Sequence, residues 1–418
     1  MTSQGAATEV AQNEEEEVQD IEEGISSYRP GHFHPVYIGD VYHEKYQVLN
    51  NIGYGQYSTV WLVQNISTLD ADADDDNCKY FALKVLSAEA YHSEKPIQER
   101  EILKHLRDCN RLNRGYKYIC HLVDDFEHSG PNGIHVCLVF DLMGETLSSF
   151  GTLFKGDMIP NPVMKKFTIQ LLAALDYAHE ATSSILFNIL TLIDIKPDNI
   201  FVKFRDPSLI ETGYLKQVPV PEQDKNGDAY TIVPSQPLNG FYFNPTDSPM
   251  GFDISLGDWE VLIGAPWNET TDWWNLGAVI LEVFRAVRMF SGRVDPDGHY
   301  EVKEHLREIV DFFGPFPRAL LNKGSPEMTV YFDATGNIKD APPMDRPTLG
   351  SDEFMEDLSE EPRQKFVSFL HALMKIDPEA RLSTNDLLRH PWLGLLPVTA
   401  DANAVGEVTA EQRPSNQV

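Results

Sequence analysis

The sequence predicts an α+β fold of two lobes, a small β-rich one followed by a larger helical one. Two observations carry this. Strand-like alternation fills the region before residue 142, whereas helical periodicity dominates from Thr271 onward. At 418 residues the chain is long enough to bury one large core or two lobes.

Residues 1–27 are poor in aromatics and rich in Glu, Gln and Ala, and are expected to form a disordered acidic tail. The small lobe is expected over 28–143. Tyr46-Gln-Val-Leu, Ser58-Thr-Val-Trp-Leu-Val and Tyr80-Phe-Ala-Leu-Lys-Val are β-branched or aromatic and alternate, so they read as three strands. An acidic run at 70–76 separates the second from the third. Glu94 to Leu106 has helical spacing, and Ile134 to Asp141 reads as a buried strand.

The helical lobe is expected over 144–396. Pro162 to His179 is amphipathic, with Val163, Phe167, Ile169, Leu171, Leu172 and Leu175 as its apolar residues. Residues 205–252 hold repeated Pro, Asp, Asn and Gly and read as an irregular spacer inserted into this lobe. Helices follow at Asp272–Ala286, Tyr300–Phe313, Glu361–Lys375 and Ser383–Leu388. Residues 397–418 lack aromatics and are expected to be a second disordered tail.

Composition excludes several functions. The 64 acidic and 34 basic residues give a formal charge of −30, the wrong sign for direct nucleic-acid binding. Cys78, Cys109, Cys120 and Cys137 show no CxxC pairing, so neither a zinc site nor a disulfide framework is expected. The N-terminus is acidic and polar rather than basic then apolar, unlike a signal peptide. The best apolar run, Ser184 to Ile193, is about half the length that spans a bilayer, so no membrane association is expected.

The chemistry concentrates in Asp194-Ile195-Lys196-Pro197-Asp198-Asn199. In one short loop an Asp can accept a hydroxyl proton, a Lys can neutralise a transferring phosphate, and an Asn can ligate magnesium. Upstream, Ile52-Gly53-Tyr54-Gly55-Gln56-Tyr57-Ser58-Thr59-Val60 lies between two strand-like segments with no helix behind it. Such a hairpin could fold over nucleotide phosphates, because the glycines put no side chain in the way. Lys84, in Ala82-Leu83-Lys84-Val85, is flanked by apolar residues and could hold phosphates. Its acidic partner should come from the next helix. Glu99 is favoured over Glu101, because its spacing puts Ile102 and Leu103 on the core side. Asp258-Trp259 ends a strand-like stretch and offers a second metal ligand. Asp253 competes, but only Asp258 has an aromatic residue directly after it.

These motifs in this order, with Tyr28-Arg-Pro-Gly31, His34-Pro-Val36 and Ile38-Gly-Asp40 before the first strand, resemble the serine/arginine-rich protein kinase family. The resemblance covers roughly residues 28–395. It implies a bilobal protein-kinase fold, ATP and Mg2+ as cofactors, and Ser beside Arg in Arg/Ser-rich proteins as target. It further implies a monomer acting in cytoplasm and nucleus to control mRNA splicing. By the resemblance Asp194 is the base and Lys196 steadies the γ-phosphate, while Asn199 and Asp258 hold the metal. Ile52, Gly53, Gly55, Ser58 and Val60 form the loop over ATP, and Lys84 with Glu99 holds the α/β phosphates. Asp141 and Met143 contact adenine behind Phe140, Asp272 braces the catalytic loop, and Arg381 pairs with Glu260.

Two departures from the family stand out. Between His179 and Asp194 the chain carries an insertion, and Leu192-Ile193 replace the family's His-Thr. Asp258-Trp259 also runs directly into Glu260, so the metal-loop Gly, the activation segment and the substrate-presenting P+1 loop are expected to be missing. A transcript read without part of its coding sequence would produce this, as would a form of the protein that has lost catalysis.

Overall fold

The computed structural model describes residues 23–68, 79–92, 98–183, 195–223, 225, 230–259, 270–285, 290–294, 297–341, 348–352 and 355–394. The chain forms two compact units, one β-rich and one mainly helical. The expected class of fold is therefore the one observed.

The first unit is built on a six-stranded antiparallel sheet. Its strands are β1 (Val41–Tyr42), β2 (Tyr46–Gly55), β3 (Ser58–Asn65), β4 (Tyr80–Leu86), β5 (Leu122–Gly130) and β6 (Gly133–Asp141), in the order β1-β2-β3-β4-β6-β5. Helix α1 (Glu99–Asp108) lies between β4 and β5 in sequence. Alternation sorts the sheet's faces. Trp61, Val63, Phe81, Leu83, Val85, Cys137 and Val139 form one core face with Val48 and Phe126. Lys84 alternates away from that face, directly across from Val60 on β3 and Leu138 on β6.

Two corrections concern what belongs to this unit. Residues Lys203–Asn244 fall in it, although the sequence places the spacer in the helical lobe. The spacer is also less irregular than its composition implies. Ile210–Tyr214 forms a wide helical turn leading into a short helix at Leu215–Gln217. Ile210, Tyr214 and Leu238 bury themselves against Leu62, Tyr80 and Leu142, while Val233 enters the main sheet core. Conversely, Asn110–Ile119 belong to the second unit. Gly115 explains that placement: a Cβ there would lie 1.9 Å from the carbonyl oxygen of Ala173, so only glycine permits the approach.

The segment before β1 is ordered and packed. Ile25–Ser27 form a turn, so the expected disorder does not extend through residues 23–27. Residues 1–22 and 395–418, which include the rest of both expected tails, lie outside the described residues. The Tyr28 ring lies tilted 4.3 Å from that of Tyr230 in the spacer, whose hydroxyl donates to the Val36 carbonyl at 3.0 Å. His34 is buried beside two more imidazoles, 4.6 Å from His128 and 4.9 Å from His135.

Burial, aided by those neighbours, lowers the His34 pKa from 6.5 to about 3, and burial lowers that of His128 too. Both folded values lie below the unfolded one, so the folded state binds fewer protons. Stability is complete above the unfolded pKa and falls as pH drops from 6.5 toward about 3. His34→Leu should lower proton uptake on unfolding in that window by about one proton. Thermal melts from pH 7 to pH 4 check this. An unchanged pH slope in the variant rejects the assignment.

The second unit contains α2 (Asn161–Ser183), β7 (Ile200–Lys203), β8 (Ile254–Leu256), α3 (Thr270–Arg285), α4 (Val302–Phe313), α5 (Glu360–Leu373) and α6 (Thr384–Leu388). Helix α2 is its axis and buries Val163, Met164, Phe167, Leu171, Leu172, Leu175 and Tyr177. Of the apolar residues expected on that face, Ile169 is only half-buried. No helix among the described residues is long and apolar enough to cross a membrane.

Candidate active site

In the first unit, β2 and β3 form the hairpin that carries the glycine-rich loop, with Gly55 paired to Ser58 and Gly53 to Val60. Neither glycine is demanded by the fold. Neither has a left-handed φ, a Cβ on Gly53 would meet nothing within 4 Å, and one on Gly55 would meet only Ser58 Oγ at 3.8 Å. The space over the hairpin is open, which is what a closely approaching ligand requires. Ile52 packs on the satellite core made with the spacer. Ser58 is buried, while Tyr54 and Tyr57 at the tip are exposed.

Lys84 Nζ donates to both carboxylate oxygens of Glu99, at 2.8 and 2.9 Å. The Glu99 side chain is 4% exposed and that of Lys84 19%. Helix α1 produces the pairing. Ile102, Leu103 and Leu106 bury one face, and Glu99 shares it three and four residues before Ile102 and Leu103. Glu101 instead accepts from the Tyr91 hydroxyl at 2.9 Å. The two acids proposed from the sequence are thus separated by geometry.

Asp141 ends β6 and is exposed, and Met143 is half-buried. Leu142 between them is buried against Ile210, Tyr214 and Leu238. The spacer also covers Gly144, where a Cβ would lie 2.2 Å from the Tyr242 ring. The Tyr242 hydroxyl bonds to Glu145, and burial raises its pKa well above the usual tyrosine range.

In the second unit, the antiparallel pairing of β7 with β8 forms a ribbon that brings the candidate metal ligands to one end. Ile200 of β7 pairs with Leu256 of β8, and Gly257 N–H donates to the Asn199 carbonyl at 2.9 Å. Asn199, buried in the turn Pro197–Asn199, and Asp258 therefore flank the same ribbon end. Asp258 has φ +58°, a left-handed conformation rare for a residue other than glycine. Trp259 behind it is fully buried. Lys196 is exposed. Asp194 and the Leu192-Ile193 pair lie outside the described residues, as do 184–191.

Asp253, the rival of Asp258, is committed elsewhere. Lys166 Nζ lies 2.8 Å from its carboxylate, and Gln170 also bonds to it. Gln170 Oε1 accepts from Ile254 N–H at 2.9 Å, so α2 holds the start of β8 in place. No periodicity in the sequence marks these two positioning residues. A Lys and a Gln one turn apart on an otherwise apolar face are the only signal.

Asp272 is buried on α3 and pairs with His179 of α2 at 2.7 Å. Of the catalytic loop it was expected to brace, Asp194 lies outside the described residues. So does Glu260, the expected partner of Arg381. Arg381 donates to the carbonyls of Thr270 and, at 2.8 Å, Lys375. Burial lowers its pKa to about 10.

Residues 46–225 match the protein kinase domain family. A serine/threonine protein kinase of Aspergillus fumigatus is 29% identical over 391 residues, covering 89% of this chain and 90% of that protein. The serine/threonine-protein kinase SRPK of Physarum polycephalum is 25% identical, over 90% of this chain and 92% of that one. The human SRSF protein kinase 3 is 34% identical over 181 residues, which is 43% of this chain and 29% of that protein. Among solved structures, the kinase domain PF14_0431 superposes with a TM-score of 0.55 at 21% identity, covering 87% of this chain and 99% of that one. That likeness speaks to the fold alone.

Proposed function

We propose that this chain, which belongs to the serine/arginine-rich protein kinase family, is built to transfer the γ-phosphoryl group of ATP to serine in Arg/Ser-rich proteins and so to regulate mRNA splicing. The observation that carries the nucleotide half of the reading is the Lys84–Glu99 pair. A largely buried acid held against a Lys on the face opposite the core fixes an ammonium in place while leaving it able to donate hydrogen bonds to phosphate oxygens.

Phosphoryl transfer asks a protein mainly for positioning and charge stabilisation. Gly53 and Gly55 admit the phosphates beneath the hairpin, Ser58 and Val60 shape its inner wall with Ile52, and Lys84 holds the α/β phosphates. Backbone groups at Asp141 and Met143 hold adenine. In the second unit Asp194 takes the proton of the acceptor hydroxyl, and Lys196 balances charge on the transferring group. Asn199 and Asp258 present hard oxygen donors at one ribbon end, the donor type that suits Mg2+. When bound, that cation neutralises phosphate charge. The reading includes a monomer working in cytoplasm and nucleus, away from membranes and without direct nucleic-acid contact.

The sequence itself favours one qualification. Only ten residues, Glu260 to Glu269, separate Trp259 from the start of α3 at Thr270. That is too short to hold both an activation segment and a P+1 loop. We therefore propose that the chain as written binds nucleotide but presents acceptor serine poorly, and that longer transcripts encode the missing segment. RNA reads spanning codons 259 and 260 check this. Reads that only ever join the two codons directly, with no longer form, reject it.

Nucleotide binding is measured by thermal shift. Ligand at a hundredfold over its Kd stabilises by about 2.7 kcal/mol, a readily measured shift. Mg-ATP should raise the melting temperature of the wild type, and Lys84→Ala should abolish the rise. An equal rise in the variant places the nucleotide elsewhere.

A further inference from the structure

The glycine-rich loop does not stand alone on its sheet. Immediately before it, the β2–β3 register slips twice, between Val48 and Asn50 and again between Asn51 and Gly53. Asn51 sits between the slips and is fully buried. Asn is a poor residue for a buried strand position, because its amide must be satisfied there and it packs less well than a β-branched side chain.

Every polar atom of Asn51 is engaged. Its N–H donates to Asn50 Oδ1 at 3.0 Å, and its carbonyl accepts from Gln236 N–H at 2.9 Å. Its side chain spans two segments: Nδ2 donates to the Val233 carbonyl at 2.8 Å, and Oδ1 accepts from Gly53 N–H at 3.0 Å. One amide thus ties the spacer to the first glycine of the loop. The spacer end of this tie is itself anchored, since Val233 is in the sheet core and the Tyr214 hydroxyl donates to the Gln236 carbonyl at 2.6 Å.

We infer that Asn51 is a positioning residue through which the spacer segment Val233–Gln236 sets the conformation of the glycine-rich loop, and with it the affinity for the phosphate part of the nucleotide. The inference depends on the reading of the hairpin as the cover over ATP phosphates. A spacer that shifts or is pulled away would release Gly53 N–H and loosen the loop without touching the residues that hold adenine. The spacer is then a control element for nucleotide affinity, operated by whatever binds or modifies it.

The test uses the full chain with Asn51→Leu, which removes both side-chain bonds at similar volume. A second variant, Gln236→Pro, removes only the N–H that donates to Asn51 and lies at a half-buried position, so it guards against a core variant that fails to fold. Two quantities are measured: Kd for Mg-ATP and for adenosine, and amide exchange of peptides spanning 50–60 and 231–238. We expect the ATP Kd to rise about tenfold with adenosine within about twofold, and both peptides to exchange faster together. Equal weakening of ATP and adenosine, or loop exchange unchanged while the spacer peptide speeds up, overturns the inference. Should wild type bind adenosine but not ATP, the phosphate-cover reading fails separately. The exchange arm then still decides whether Asn51 couples the two segments.

Discussion

Inserting a kinase activation segment and P+1 loop between Trp259 and Glu260 is expected to raise phosphorylation of Arg-Ser repeat peptides at least about a hundredfold over the chain as written. The size follows from positioning, since a misplacement of about 1 Å can already cost that factor. The helical unit is prepared for such a segment at both ends. Upstream, Asn199 and Asp258 flank one ribbon end with Trp259 buried behind them. Downstream, Arg381, itself bonded to the Lys375 carbonyl, fastens the first turn of α3, and His179 holds Asp272 within it. Chemical groups are present, and the means of presenting the acceptor is what the ten intervening residues leave out.

The assay compares both forms on an Arg-Ser peptide and a Lys-Ser control, with Asp194→Ala as blank. The charge of −30 should favour repeated Arg over isolated Lys, through carboxylates that Arg can bind in bidentate fashion. Raising salt should weaken that preference, because exposed charge pairs are screened. Full activity in the short form, or equal rates on the two peptides, overturns the assignment of substrate and of the missing segment.

What could be read from sequence divides along a physical line. Apolar flanks on a strand marked Lys84, and helical spacing selected Glu99 over Glu101, because both signals are local. The choice of Asp258 over Asp253 used only the aromatic neighbour. The structure adds the reason that Asp253 is occupied, a Lys166 contact 87 residues away in sequence. The spacer was misplaced for the opposite reason. Ile210, Tyr214, Val233, Leu238 and Tyr242 follow neither a 2.0 nor a 3.6 period, so their apolarity is invisible to pattern reading. Their partners, such as Leu62 and Tyr80, lie well over a hundred residues upstream. Burial there is set by tertiary contact alone.

The second large effect tests that burial directly. Arg205 N–H donates to the Tyr242 carbonyl at 2.9 Å, so the spacer leaves and returns at nearly one point. Residues 206–241 can therefore be replaced by a short Gly-Ser link without stretching the chain. An irregular surface loop removed this way should leave stability within about 1 kcal/mol, since loop length costs little. A spacer that completes the core should not. Excision takes Ile210, Tyr214 and Leu238 off Leu62, Tyr80 and Leu142, and takes Val233 out of the sheet core. Burying each of these four side chains is worth about 1.5–3 kcal/mol, so the loss should reach about 6–12 kcal/mol, comparable to a whole domain's margin. The first unit is expected to unfold at or near room temperature, read as loss of cooperative melting and of Mg-ATP stabilisation. Tyr214→Ala gives a graded version, with an expected loss of about 3 kcal/mol. A spacerless chain that melts like the wild type would show that these residues cover the sheet without supporting it.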